Sequence, residues 1–271
     1  MKILVTGYKG FIGQNMVQYL HDNTDWEIDT YEWGETYHGV FGYDWVIHLG
    51  AISSTTERDI EKVLKQNTDF TKLLIRDCKT FGVNLQFASS ASLYGLNSEF
   101  NEESKLDPIT PYAWSKYLSE RRVREHTGGN ILHCFRYFNV YGDHEEHKGT
   151  QASPVTQFKK QLQDQGFINL FHGSSQYFRD FICVTDVCRI HVEFIKSVKK
   201  SGIYNVGTGN VYSFEQVADL ISTDHQYIAI PENLKRSYQT YTKADISKLE
   251  SVLGPQKFIT IEEYLKVADN R

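Results

Sequence analysis

The sequence predicts an α/β fold: a Rossmann-type doubly wound parallel sheet, followed by a smaller mixed α/β C-terminal part. Three observations carry this. Lys2-Ile3-Leu4-Val5-Thr6 is a short apolar, β-branched run; it ends at a Gly-x-x-Gly-x-x-Gly turn; and strand and helix patterns then alternate as far as about Tyr141. The 271 residues suit one large α/β unit with an appendage and are short for two full-sized domains.

The elements follow in order. Lys2–Thr6 is the first strand, and the pattern through Met16, Val17 and Leu20 is the first helix. Glu27–Glu32 reads as a second strand and Trp45–Leu49 as a buried third. A long helix is expected over Arg58–Phe81, with Val63, Leu64, Phe70, Leu74, Cys78 and Phe81 on its apolar stripe. Asn84–Ala88 gives a strand, Tyr112–Glu125 a helix and Ile131–Phe135 the next strand. Beyond Tyr141 the alternation weakens. Helices are expected over Val155–Gln165, Asp186–Lys199, Phe214–Ile221, Ala244–Leu253 and Ile261–Ala268, and extended segments over Phe167–Phe171, Ile203–Val206 and Tyr227–Ile230.

Composition narrows the function classes. A formal charge of -5 from 34 acids and 29 bases, with no long basic run, gives no footprint for nucleic acid or an anionic membrane. No stretch approaches the roughly 20 apolar residues of a membrane span. Cys78, Cys134, Cys183 and Cys188 match neither a zinc ribbon nor a small disulfide framework, so they read as reduced core thiols. Only Ile3-Leu4-Val5 precedes the first glycine, too short a run for the apolar region of a signal peptide, and a cytoplasmic setting is expected. His144 and His147 invite a metal reading, but no third ligand stands at a familiar spacing, and no metal is expected.

Gly7, Gly10 and Gly13 occupy the three glycine positions of the first turn, between a strand and a helix. Glycine there permits unusual backbone angles and lets a pyrophosphate approach the free N–H groups of the helix start. Units 1–150, with a sheet completed by segments near 181–210, and 151–271 then read as dinucleotide-binding and mainly substrate-binding. Glu32, near the end of the second strand, suits a ribose 2′-hydroxyl and hence NAD, whereas Lys9, inside the glycine loop, suits a 2′-phosphate and hence NADP. NADP is the first expectation and NAD the alternative. A second constellation lies downstream. Ser90 ends a strand, and Tyr112 and Lys116 share one face of a helix, so the lysine ammonium is expected to lower the phenol pKa and make Tyr112 a general acid/base.

The glycine loop, the Ser89-Ser90-Ala91 strand end and Tyr112-x-x-x-Lys116 together resemble the extended short-chain dehydrogenase/reductase superfamily and its nucleotide-sugar epimerases, which hold NAD(P) tightly. Within it, the segments Leu49–Glu57, Phe135–Gly142, His147-Lys148-Gly149, Arg179-Asp180-Phe181, Asn205–Gly209 and Tyr238–Thr242 are similar, in order and over nearly the whole chain, to the ADP-glycero-manno-heptose 6-epimerase family. The resemblance implies that Tyr112 and Lys148 are the two acid/base groups, supported by Ser90 and Lys116. It implies dinucleotide contacts from Phe11, Ile12, Leu49, Gly50, Ala51, Ile52, Ser53, Asn67, Lys116 and Val140. It implies substrate contacts from Ser90, Asn139, Lys148, Thr150, Gln157, Phe171, His172, Gly173, Ser174, Arg179 and Tyr238, with a nucleotide sugar as partner and a homo-oligomer as the assembly.

Two departures stand out. Gln157 replaces the family's histidine and Thr150 its serine. The stretch between the second strand and Trp45 is also too short for the family's third strand–helix unit, which carries basic residues for the cofactor phosphate, and Lys9 is the only nearby substitute. The chemistry implied is inversion of a carbinol carbon by transient oxidation and re-reduction. A 4-epimerase or keto-reductase of another nucleotide sugar is the enzymatic alternative, and a non-catalytic cofactor-binding sensor the other. Elimination chemistry fits poorly, because Ala91-Ser92 follows Ser90 where dehydratases place Asp-Glu.

Overall fold

Six strands form one all-parallel sheet in the computed structural model, which describes residues 1–54, 57–231 and 239–268. In chain order they are β1 (Lys2–Thr6), β2 (Glu27–Tyr31), β3 (Trp45–His48), β4 (Asn84–Ser90), β5 (Leu132–Tyr137) and, far downstream, a strand at Gly202–Val206. Across the sheet the order is β2, β1, β3, β4, β5 and then Gly202–Val206. The chain leaves β1 to one side for β2 and returns on the other for β3. Order therefore reverses at β1 and β3, and in such sheets the crevice beyond the C-terminal strand ends at that reversal binds ligand.

The sheet is apolar on both faces because helices cover both. Ile3, Val5, Trp45 and Ile47 pack with Met16 and Leu20 of α1 (Phe11–Asn23) on one face. Alternate residues Leu4, Val46, Leu85 and Phe87 pack on the other with Leu74 and Cys78 of α3 (Phe70–Phe81) and Val123 of α4 (Pro111–Arg124). Thr110 caps α4, its hydroxyl accepting the Ala113 N–H at 3.1 Å, and Pro111 begins the helix without an N–H to lose.

The long helix expected over Arg58–Phe81 is a composite. A short α2 (Ile60–Val63) passes into a π-helical stretch, Leu64–Asp69, and then into α3. Periodicity cannot announce the widened turn, because its cause is tertiary: Asn67 is drawn onto a neighbouring loop. The shortened region is seen directly. Residues 32–44 contain no strand or helix, and β2 is the sheet edge.

Beyond β5 come β6 (Asn139–Tyr141), α5 (Pro154–Gln165), β7 (Ile168–Phe171), β8 (Phe178–Arg179), β9 (Phe181–Cys183), α6 (Val184–Ser197), β10 (Gly202–Val206), β11 (Tyr212–Ser213), α7 (Phe214–Asp219), β12 (His225–Ile228), β13 (Tyr241–Thr242), α8 (Ser247–Leu253) and α9 (Ile261–Ala268). Within 181–210 only β10 joins the large sheet; β9 pairs with β6 in a separate two-stranded ladder. The strand expected at Tyr227–Ile230 lies at His225–Ile228, paired with β7, and the helix expected from Ala244 begins at Ser247. A separate core of Val155, Phe158, Ile168, Leu170, Phe181, Val217 and Ile261 holds these pieces. Among the described residues no helix is long and apolar enough to cross a membrane.

Candidate active site

The first strand turns into its helix through contacts that leave no room for side chains. Gly7 has φ +78°, and a Cβ there would fall 2.4 Å from the Gly50 Cα; a Cβ on Gly13 would fall 2.0 Å from the Gly7 carbonyl oxygen. The loops after β1 and β3 therefore lie directly on each other. Gly10 is the N-cap of α1 and offers no capping side chain, so the first N–H groups of that helix lack an intrahelical or side-chain acceptor. This cradle fits a dinucleotide pyrophosphate. Ile12, Leu49 and Val140 converge on one apolar cluster beside it, and Phe11 is buried. Ala51 and Ile52 line a cleft with Gly50, Glu32, Trp33, Gln66 and Phe70, while Ser53 is exposed.

Asn67, 1% exposed, uses both ends of its amide on this loop. Its Oδ1 accepts the Ile52 N–H at 2.8 Å, and its Nδ2 donates to the Ile52 carbonyl at 3.0 Å and to Ser115 Oγ at 3.0 Å. Ser115 Oγ in turn donates to the Tyr112 carbonyl at 2.7 Å. The π-helical turn thus ties the cofactor-side loop to the helix that carries Tyr112 and Lys116. Asn67 is satisfied within the protein and holds this loop against the helix of Tyr112.

Ser90 ends β4 and Tyr112 stands in the first turn of α4, with the Ser90 side chain near enough the phenol to favour its ionised form. Lys116, 3% exposed, donates to the Ala88 carbonyl at 2.7 Å, and its Nζ lies 5.9 Å from the Tyr112 ring centroid. Burial lowers the Lys116 pKa to about 8. The expectation that Lys116 lowers the Tyr112 pKa is corrected. Burial raises the phenol, the Ser90 side chain opposes that, and the ammonium is turned onto a backbone carbonyl instead. Lys148, on the 3₁₀ turn Glu146–Gln151, has its Nζ 5.2 Å from the Phe11 ring centroid, at the glycine loop. Burial lowers its pKa and the neighbouring Glu145 carboxylate raises it.

The proposed substrate residues divide into an inner and an outer set. Asn139, on β6, donates through Nδ2 to the Asp180 carbonyl at 3.1 Å. Gln157, Phe171 and Ser174 line a cavity of about 300 Å³ between α5, β7 and α7, with Tyr177, Phe214 and Ile228. Gln157 Nε2 donates to the Ala152 carbonyl at 2.6 Å and to that of Thr150 at 3.3 Å; Ser174 Oγ donates to Glu215 at 3.3 Å. His172 stacks on Tyr227 with centroids 6.0 Å apart, and Gly173 takes φ +85°. Arg179 donates to the carbonyls of Phe178 at 2.9 Å and Gln239 at 2.5 Å, with its guanidinium over the Phe214 ring. Tyr238, Thr55 and Thr56 lie outside the described residues.

Sequence reasoning missed a buried support under Lys116. Glu120, one turn further along α4, receives Arg136 Nη2 at 2.7 Å and Nε at 2.9 Å, and the Ser89 hydroxyl at 2.6 Å. The spacing of four residues from Lys116 was the available signal. It also missed Glu35, whose carboxylate accepts the Lys9 ammonium at 2.9 Å and the Glu32 N–H at 2.8 Å. Nothing in a loop of irregular backbone marks such a pairing.

Residues 27–207 match the model of the NAD dependent epimerase/dehydratase family. The chain belongs to that family. It is 33% identical to the ADP-L-glycero-D-manno-heptose-6-epimerase of Brachyspira hyodysenteriae, across 97% of this chain and 95% of that one. The Helicobacter pylori ADP-L-glycero-D-manno-heptose-6-epimerase has the same fold, with a TM-score of 0.86 at 24% identity over 98% of this chain and 94% of that one. A UDP-N-acetylglucosamine 4-epimerase from Methanobrevibacter ruminantium also superposes with a TM-score of 0.86, at 21% identity over 99% and 98% of the two chains. The enzyme class read from the sequence, an isomerase of the epimerase type with a nicotinamide cofactor, accordingly holds.

Proposed function

We propose that this chain is an ADP-glycero-manno-heptose 6-epimerase, inverting the exocyclic carbinol carbon of a nucleotide-linked heptose. The observation that carries the reading is Tyr112 with buried Lys116 Nζ 5.9 Å from its ring, on the helix that Asn67 and Ser115 tie to the loop lying on the glycine cradle. Identity of 33% to a heptose epimerase along nearly the whole chain supports the choice of sugar.

Gly7, Gly10 and Gly13 would hold the pyrophosphate, and Ile12, Leu49 and Val140 would flank the ring. Bound there, nicotinamide supplies reversible two-electron oxidation of a carbinol carbon. Tyr112 is the group that removes the proton from the substrate hydroxyl or returns it, with Ser90 hydrogen-bonded to the same oxygen. Lys116 lies behind Tyr112, its charge available to the phenolate once the ammonium leaves Ala88. Lys148 serves the opposite face of the carbonyl, since inversion requires proton transfer to an oxygen presented in two orientations. The pocket at Gln157, Phe171 and Ser174 takes the nucleotide, with Asn139, Thr150, His172, Gly173, Arg179 and Tyr238 completing the substrate contacts. Four free, buried cysteines support a reducing cytoplasmic setting. Assembly into a homo-oligomer is part of the same reading, and size-exclusion chromatography with light scattering tests it.

The direct test is incubation with one C6 epimer of ADP-glycero-manno-heptose and analysis of the product by NMR. A mixture of both C6 epimers is expected. No reaction, together with C4 inversion of a UDP- or GDP-hexose, overturns the heptose reading in favour of a 4-epimerase.

A further inference from the structure

We propose that Glu145 is the positioning residue for Lys148: a buried carboxylate, fixed at one oxygen by the start of α5, whose charge keeps the Lys148 side chain at the glycine loop as an ammonium. The inference rests on the epimerase reading, in which Lys148 is the second acid/base group, and deepens it to what keeps that group a proton donor.

The local backbone puts this acid inside. Between Asp143 and Thr150 every residue is exposed or half-buried except Glu145, which is 1% exposed. His144, just before it, takes φ +69°, the one positive φ outside glycine among the described residues. A 3₁₀ turn follows, and the Lys148 N–H donates to the Glu145 carbonyl at 2.9 Å. In such a turn side chains three residues apart lie over one another, so Glu145 and Lys148 share one side of it.

The two carboxylate oxygens are used unequally. Oε2 accepts the Ser153 N–H at 2.5 Å, at the N-cap of α5, while Oε1 is buried without a hydrogen-bond partner. An acid that served only to hold this loop would need one neutral acceptor, which an amide also provides. An orphaned buried oxygen is costly, and charge is what offsets it here. Glu145 is the carboxylate that acts on Lys148, and the ammonium in turn favours the ionised form of Glu145, while burial works against both charges. Asp143 and Glu146 of the same segment, Lys159 and Lys160 of α5 and Tyr264 of α9 line the adjoining cavity. Lys160 is paired with Asp164 at 2.9 Å, and the Tyr264 hydroxyl donates to Asp143 at 2.9 Å. These five are exposed or half-buried, so water screens them where it cannot screen Glu145. On its other side Lys148 Nζ meets the Phe11 ring, 5.2 Å from the centroid. In the proposed epimerisation, as hydride returns to the carbonyl carbon, the oxygen takes a proton from the Lys148 ammonium and leaves a neutral amine. Glu145 stays ionised throughout and transfers nothing.

Competitive acetylation of the cofactor-free chain with acetic anhydride across neutral and alkaline pH, read by peptide mass spectrometry, follows the Lys148 amine without any substrate. Glu145→Gln keeps an acceptor for the Ser153 N–H and removes the charge. The Lys148 midpoint is expected to fall by at least about one pH unit, with exposed Lys79 on α3 unchanged, and Glu145→Asp should restore most of the difference. With the heptose substrate, the alkaline limb of kcat should move to lower pH in step, whereas a merely structural residue would lower kcat alike at every pH. Lys148→Met gives the reciprocal measurement if Glu145→Gln does not fold. Without the ammonium the buried carboxyl is harder to ionise, so stability relative to the unaltered chain should fall as pH rises from acid to neutral. An unshifted Lys148 midpoint in Glu145→Gln overturns the proposal, as does an unchanged pH dependence of stability in Lys148→Met. Absence of heptose turnover in the unaltered chain removes the epimerase assignment, while acetylation still decides whether Glu145 governs Lys148.

Discussion

The two ends of the candidate site are built differently. At the strand ends, geometry is set by backbone contact and buried hydrogen bonds: Gly7 against Gly50, Asn67 bridging Ile52 to Ser115, and Glu120 clasped by Arg136 beneath Lys116. At the C-terminal pocket the polar groups are engaged by nearby protein atoms. Arg179 bonds the Phe178 and Gln239 carbonyls, Gln157 the Ala152 carbonyl, and Ser174 the Glu215 carboxylate. The first end can receive its ligand almost as it stands. On the proposed function the second would exchange internal hydrogen bonds for bonds to substrate, so each exchange would contribute little net affinity and mainly set which substrate fits.

Substitutions at the two ends should therefore differ in kind. The largest effect is expected from Tyr112→Phe, which removes the oxygen proposed to transfer the proton. Turnover should fall by about 10²–10⁴-fold, with NADH binding unchanged by fluorescence titration. Parallel loss of cofactor binding would make Tyr112 a structural residue and erase the contrast. Glu120→Ala strands the buried Arg136 guanidinium and should cost about 3–5 kcal/mol in chemical denaturation. A cost below about 1 kcal/mol would mean that the strand-end half is not rigidly supported.

Lys116 gives a pH test of the same rigidity. Its pKa is lowered by burial to about 8 from the ordinary 10.5, so between those values the unfolded chain holds the proton that the folded chain has released. Stability of the cofactor-free protein should rise with pH across that window, by up to about 3 kcal/mol from this residue. The cost of the buried charge is fully present below pH 8. Lys116→Met should flatten the rise, and an identical pH profile in both proteins would place the ammonium in solvent. The smallest effect is expected at the other end: Arg179→Gln should raise KM by about tenfold with kcat little changed. A fall in kcat at unchanged KM would move Arg179 from substrate fitting to the reacting end.

What could be read from the sequence follows this division. The glycine turn, the parallel strands and the Tyr112–Lys116 face are local patterns, in which spacing alone fixes which residues meet. The π-helical turn at Leu64–Asp69 was not legible, because it exists to bring Asn67 to a loop 15 residues back. The direction of the Tyr112 shift was misjudged for a related reason: helical spacing places Lys116 on the correct face, but only packing reveals that its ammonium turns to Ala88. The shortened edge was visible as a missing stretch, whereas the Glu35–Lys9 pairing that it creates depends on a turn without regular structure. In the C-terminal part short strands such as β8, β9 and β13 have two or three residues each, too few for a period to register.

The proposed epimerisation requires removal and return of the same hydrogen at the carbinol carbon, with Tyr112 and Lys148 handling only the hydroxyl proton. Conversion of ADP-glycero-manno-heptose in D₂O, with NMR and mass analysis of the product, tests it most directly. Product with protium at the inverted carbon is expected; deuterium at that carbon would rule out hydride removal and return.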